Sequence, residues 1–121
     1  MPYIDGFVVP VPNDRKEEYI ALARKAWPIF QELGMTRQVE CWGDDVLKGE
    51  VTDFYGAVDA KDNETVVFSW CEYPDRATRD EANRKMREDP RMAEMGEMPF
   101  DGKRMIFSGF LPVFDSSGTL A

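Results

Sequence analysis

Three stretches of this chain are apolar on both alternating faces, yet the sequence supplies only two substantial helices to cover them. In the first, Tyr3, Phe7, Val9 and Val11 fall on one side and Ile4, Val8 and Pro10 on the other. In another, Val66, Phe68 and Trp70 oppose Val67, Ser69, Cys71 and Tyr73. Near the end, Met105, Phe107, Leu111 and Val113 oppose Ile106, Phe110 and Phe114. An antiparallel sheet wetted on one face should alternate apolar with polar residues. A monomer carrying these strands would leave an apolar face larger than the roughly 300–600 Å² patch usual for soluble monomers. The simplest cover is an identical sheet from a second chain, packed about 10 Å away. The other candidate covers are the C-terminal tail and the segment Val51 to Val58.

The order of elements follows from punctuation and period. Tyr3 to Val11 reads as a first strand, closed by Pro10 and Pro12. Asn13 or Asp14 is placed to cap a helix in which Tyr19, Leu22, Ala23, Ala26, Trp27, Phe30 and Leu33 share one face. Pro28 is expected to kink it and Gly34 to end it. Thr36 to Trp42 reads as a second strand. Val51 to Val58 reads as extended, either a continuation or a short extra strand, and Thr65 to Tyr73 as the clearest strand. Asp75 caps a second helix with Ala77, Ala82 and Met86 inward; Asp89-Pro90 breaks it, and a helical turn follows near Met92 to Met95. Met105 to Phe114 reads as the last strand. The pattern is β-α-β-β-α-β, the ferredoxin-like arrangement: an α+β fold with an antiparallel sheet and both helices on one face. One domain is expected over residues 1–115, with a flexible tail at 116–121.

Charge and cysteines narrow the partners. The formal net charge is −8, and the basic residues are interleaved with acids, as in Arg79-Asp80-Glu81. Phosphate backbones need clustered Lys and Arg, so nucleic acid, anionic membrane and highly acidic substrates are disfavoured. No apolar run reaches the length of a membrane span, and the N-terminus lacks a signal-peptide pattern, so a cytoplasmic location is expected. Two cysteines, Cys41 and Cys71, and no histidine make a structural zinc site unfavourable and buried thiols the expectation. The methionines Met86, Met92, Met95 and Met98 are expected to fill core gaps rather than hold a soft metal. No cofactor is implied.

Three segments carry a family resemblance: Tyr3-Ile4-Asp5-Gly6-Phe7-Val8-Val9-Pro10-Val11-Pro12; Val67-Phe68-Ser69-Trp70 with Glu72-Tyr73-Pro74; and Met98-Pro99-Phe100-Asp101-Gly102-Lys103-Arg104-Met105-Ile106. Over nearly its whole length the chain resembles the YbaA-like bacterial proteins, grouped with the dimeric α+β barrels. Phe107-Ser108 and Cys71 depart from the family's usual residues. The resemblance implies a ferredoxin-like protomer whose sheet pairs with its twin to enclose a barrel. Related barrel families include cofactor-free monooxygenases of aromatic substrates and lactone isomerases, an analogy at the level of fold.

Without histidine, proton transfer would have to use a carboxylate, tyrosine, lysine or thiol. Asp5, Glu40 and Glu72 each interrupt an apolar strand; Glu40 shares a face with Trp42, and Glu72 with Phe68 and Trp70. A carboxylate beside an indole in a dry cavity can shuttle protons near neutral pH. The alternative for each is an ion pair, with Arg37 or Arg104, or a wet position at the rim. Glu40-Cys41-Trp42 and Trp70-Cys71-Glu72 are mirrored, so adjacent antiparallel strands could bring the sulfurs close. The leading expectation is a homodimeric barrel holding a small apolar or aromatic molecule between its sheets, as a cofactor-free isomerase or oxygenase. Trp42, Tyr55 and Trp70 would form the wall, Asp5, Glu40 and Glu72 would move protons, and Arg104 would anchor charge. The competing expectation is a non-catalytic interaction module with a solidly packed interface.

Overall fold

The computed structural model describes residues 1–118. Strand β1 (Tyr3–Pro12) is followed by a single 3-10 turn at Asn13–Arg15 and helix α1 (Lys16–Glu32). Then come β2 (Arg37–Trp42), a short helix α2 (Phe54–Ala57), β3 (Glu64–Tyr73), α3 (Arg76–Glu88), a one-turn helix α4 (Pro90–Ala93) and β4 (Ile106–Phe110). The strands form one four-stranded sheet in the order β2-β3-β1-β4, antiparallel at every pairing. This is the expected ferredoxin-like topology.

Several local expectations are corrected. Neither Asn13 nor Asp14 caps α1; the 3-10 turn intervenes, and the helix starts without a side-chain cap. Pro28 lies inside α1 as expected, and the helix runs on to Glu32. The segment 51–58 is no strand. Asp53 accepts the Gly56 amide at 2.7 Å and caps the short helix α2 instead. The last strand stops at Phe110, where its pairing with β1 ends at Ile4, and Pro112 just beyond has no N–H to extend the ladder. The expected tail at 116–121 falls partly on residues 119–121, which lie outside the described residues. Asp75 does cap α3, accepting the Thr78 amide at 2.7 Å. Gly34, at φ +116°, makes the turn out of α1 that a side chain would resist, and its absent Cβ leaves room for Thr78.

Register decides which strand residues share a face. Cross-strand partners Tyr3 and Tyr73, Asp5 and Cys71, Phe7 and Ser69, and Val9 and Val67 alternate with Gly6 and Trp70, and Val8 and Phe68. The first set faces the helices. There, one buried cluster joins Met35, Cys71, Tyr73 and Ala82, and a second joins Val9, Val11 and Val67.

The opposite face stays apolar and open along much of its area. Phe68, Ile106 and Phe110 remain 46%, 47% and 58% exposed. The 51–58 segment shelters only one end. Phe54 sets its ring edge-on against Phe68 at 6.1 Å, and Pro10 and Val66 are buried. Among the described residues, the loops therefore leave most of this face uncovered.

Candidate functional site

The helix-facing side of the sheet does not meet the helices in continuous packing. A cavity of about 420 Å³ separates them, walled by Phe7, Val9, Phe30, Met35, Met86, Met105 and Phe107. Its polar groups come from Asp5, Tyr19, Gln38, Glu40, Ser69, Cys71, Tyr73, Asn83 and Arg87. A second cavity of about 300 Å³ runs beneath α1 toward Met92, Met95, Met98 and Phe100. A third recess of about 310 Å³ is lined by Ala23, Arg24, Trp27, Gln38 and Glu40. Gln38 and Glu40 line all three. The expectation placed a chamber between the sheets of two chains; these cavities lie between the sheet and its own helices.

Glu40 is held by neutral donors. The Tyr19 hydroxyl donates to its Oε1 at 2.5 Å, and Gln38 Nε2 donates to its Oε2 at 2.9 Å. Strand period puts Gln38 and Glu40 on the same side of β2, and Tyr19 reaches down from the first turns of α1. Burial, and then the Glu40 carboxylate, push the Tyr19 phenol well above its ordinary range. Tyr19 is thus a fixed hydrogen-bond donor at neutral pH. Glu40 makes none of the ion pairs found among the described residues. It is a half-buried side chain held by hydrogen bonds from neutral donors.

Asp5 lines the same chamber, but a cation occupies it. Arg79 of α3 meets its carboxylate with Nε at 3.0 and 3.1 Å and Nη2 at 2.9 Å. The side chains are 4% and 16% exposed. The guanidinium also lies 5.2 Å over the Tyr3 ring. Gly109 of β4 makes room for it: a Cβ there would sit 2.7 Å from Arg79 Nη2 and 2.4 Å from the Tyr3 hydroxyl. Asp5 and Arg79 stand 74 positions apart, a pairing that the local sequence does not signal. Arg79 was therefore missed.

The remaining expected site residues lie elsewhere. Glu72 and Trp70 share the open face, where Trp70 Nε1 donates to Glu72 Oε2 at 2.8 Å and Arg37 approaches the same oxygen at 3.4 Å. Trp42 faces the helices but packs beside Val11 and Val67, with Lys16 Nζ 5.2 Å over its ring. Tyr55 donates to the Val46 carbonyl at 2.8 Å, under Lys48. Arg104 holds Glu64 with both terminal nitrogens at 2.7 Å and Asp101 at 3.0 Å. Its charge is already engaged.

The thiols do not meet. Strands β2 and β3 are adjacent and antiparallel, yet the register pairs Gln38 with Cys71 and Cys41 with Phe68, which sets the sulfurs on opposite faces. Burial, helped by the nearby Glu40 and Asp5 carboxylates, pushes the Cys71 thiol up to about 12. It is a poor nucleophile near neutral pH. Among the described residues, no three acidic or thiol side chains gather where they could hold a metal ion.

Residues 2–102 match a family described as "Protein of unknown function (DUF1428)". The "Uncharacterized protein YbaA" of Escherichia coli (strain K12) is 60% identical over 116 residues, covering 95% of this chain and 99% of that protein. Two solved structures, each described as a dimeric ferredoxin-like protein from an uncultured marine organism, share the fold. One has a TM-score of 0.57 at 15% identity, covering 95% of this chain and 99% of its own. The other has a TM-score of 0.53 at 10% identity, covering 95% and 97%.

Proposed function

The chain belongs to the family described as "Protein of unknown function (DUF1428)", and from that premise we propose that it is a homodimer holding a small, mainly apolar or aromatic molecule between its sheet and its helices. Two features support the dimer. The open sheet face keeps Phe68, Ile106 and Phe110 about half exposed, and solved structures of the same fold are described as dimeric. Pairing of two such faces would cover Trp70 and Glu72, which then serve the interface rather than the chamber.

The observation that carries the ligand proposal is the position of Glu40, at the meeting point of three cavities with only neutral donors on its oxygens. A chamber of about 420 Å³ falls within the roughly 300–1,000 Å³ of small-molecule sites, and its apolar wall is set with polar groups that could orient a ligand. In such a site Glu40 is suited to accept a proton from an activated carbon of the ligand, with Tyr19 fixing the carboxylate. The reaction class would be a cofactor-free isomerisation. Asp5 is a weaker base candidate because Arg79 already neutralises it.

Native mass spectrometry of protein purified from cells tests the reading. The expected species is twice the chain mass plus a small bound molecule, and Glu40→Phe, which fills the cavity junction, should lose that molecule and keep the dimer. A monomer with nothing bound would overturn both parts. A dimer that stays bare even after exposure to aromatic fragments would overturn the ligand part and favour an interaction module.

A further inference from the structure

Of the nine arginines in the chain, seven are engaged in ion pairs: Arg15, Arg37, Arg76, Arg79, Arg84, Arg91 and Arg104. Among the described residues, Arg24 and Arg87 make none. Both line cavities that reach Glu40, Arg24 the shallow third recess and Arg87 the main chamber. Acids outnumber bases by 23 to 15, so an arginine without a carboxylate partner is unexpected on charge balance alone.

We propose that Arg87 is the anchor for an anionic group on the chamber's ligand, which makes that ligand a small amphipathic monoanion such as an aromatic or aliphatic carboxylate. The inference rests on the chamber reading above. Asn83 and Arg87 lie one turn apart on α3, so they share a helix face, with Met86 beside them. All three line the chamber. Arg87 is exposed and Asn83 half-buried, which sets the guanidinium at the mouth and the amide just inside. A planar guanidinium can take both oxygens of a carboxylate, and an amide can donate to one of them.

Charge also fixes the ligand's direction. The Glu40 carboxylate lines the same chamber and has no cation partner among the described residues, so it repels a second anion. The anionic group therefore points outward to Arg87, the apolar body lies against Phe7, Phe30 and Met35, and a neutral hydrogen-bonding end meets Tyr19 and Glu40. The single positive charge at the mouth suits one negative group, which agrees with an overall charge that repels polyanions.

Two fluorescent probes separate the claims, because they share a ring system and differ by one anionic group. Anilinonaphthalene sulfonate carries the charge, and phenylnaphthylamine is neutral. Arg87→Gln should weaken sulfonate binding by roughly fivefold to tenfold, the effect of losing one partly exposed charge contact. It should leave the neutral probe unchanged, and Arg87→Lys should restore part of the loss. Arg24→Gln removes the same charge outside the main chamber and should change neither probe. If Arg87→Gln has no effect on the sulfonate, or Arg24→Gln has an equal one, the anchor is wrong while binding of the neutral probe still supports the chamber. If neither probe binds the wild-type protein, the chamber reading fails and the anchor with it.

Discussion

Replacing Arg79 with methionine removes the one cation that pairs with Asp5 among the described residues, while keeping an unbranched apolar stem. In the native structure three contacts of 2.9–3.1 Å join the two groups, and the Asp5 side chain is 4% exposed. Stranding one member of a buried pair costs about 3–5 kcal/mol. For a chain of this length, roughly 4 °C of melting temperature per kcal/mol turns that into a fall of roughly 12–20 °C. Urea denaturation at neutral pH, with a thermal scan beside it, measures the loss. The control is Asp5→Asn combined with Arg79→Met, which removes the stranded charge and should recover about 1–2 kcal/mol of it. An Arg79→Met protein within about 1 kcal/mol of wild type would refute the reasoning, because it would mean water already reaches the carboxylate.

Other outcomes follow from the same structure. In a Cys41→Ser background, Cys71 should not react with a thiol reagent at pH 8 until denaturant is added, because its thiol is pushed up to about 12; prompt labelling of the folded protein would contradict this. The Arg104 guanidinium holds the Glu64 carboxyl below its ordinary value of 4.5. Its stabilising contribution is therefore present above about pH 4.5 and lost as pH falls through the lower folded value. Glu64→Gln should flatten that part of the acid-denaturation curve measured from pH 6 to pH 3, and an unchanged curve would count against the pair. Phe110→Asp with Phe68→Asp places charge on the open sheet face and should halve the mass seen by light scattering while leaving the circular dichroism spectrum intact; an unchanged mass would place the subunit contact elsewhere.

The architecture was legible because strands β1 and β3 carry an unambiguous signal. Their two-faced apolar pattern, the Asp75 cap and the period of α1 all point to the same topology. Local chemistry was less legible where two signals compete. Val51, Phe54, Tyr55 and Val58 carry strand-like side chains, yet Asp53 accepting the Gly56 amide turns the backbone into a helical turn. Leu111 to Phe114 have strand composition, yet the pairing with β1 ends at Phe110 and Pro112 interrupts any continuation.

The site was half legible. Alternation places Asp5 and Cys71 on one face, and Glu72 and Trp70 on the other, but nothing local tells which of those faces the helices will cover. Once α1 and α3 settle over Asp5, the partners follow from chain segments far apart: Tyr19 for Glu40, Arg79 for Asp5, Glu64 for Arg104. The competition among nine arginines for carboxylates is a property of the folded surface. It decides that Arg104 is occupied and Arg87 is not.

The methionines offer a direct view of the chamber, because Met35, Met86 and Met105 line it and Met1 does not. Methyl-labelled methionine, followed by NMR during titration with naphthol, reports occupancy at each position. An aromatic molecule seated between sheet and helices should move the Met35, Met86 and Met105 methyl signals together and leave Met1 in place. Those three signals standing still at millimolar naphthol would contradict a binding chamber on the helix side of the sheet.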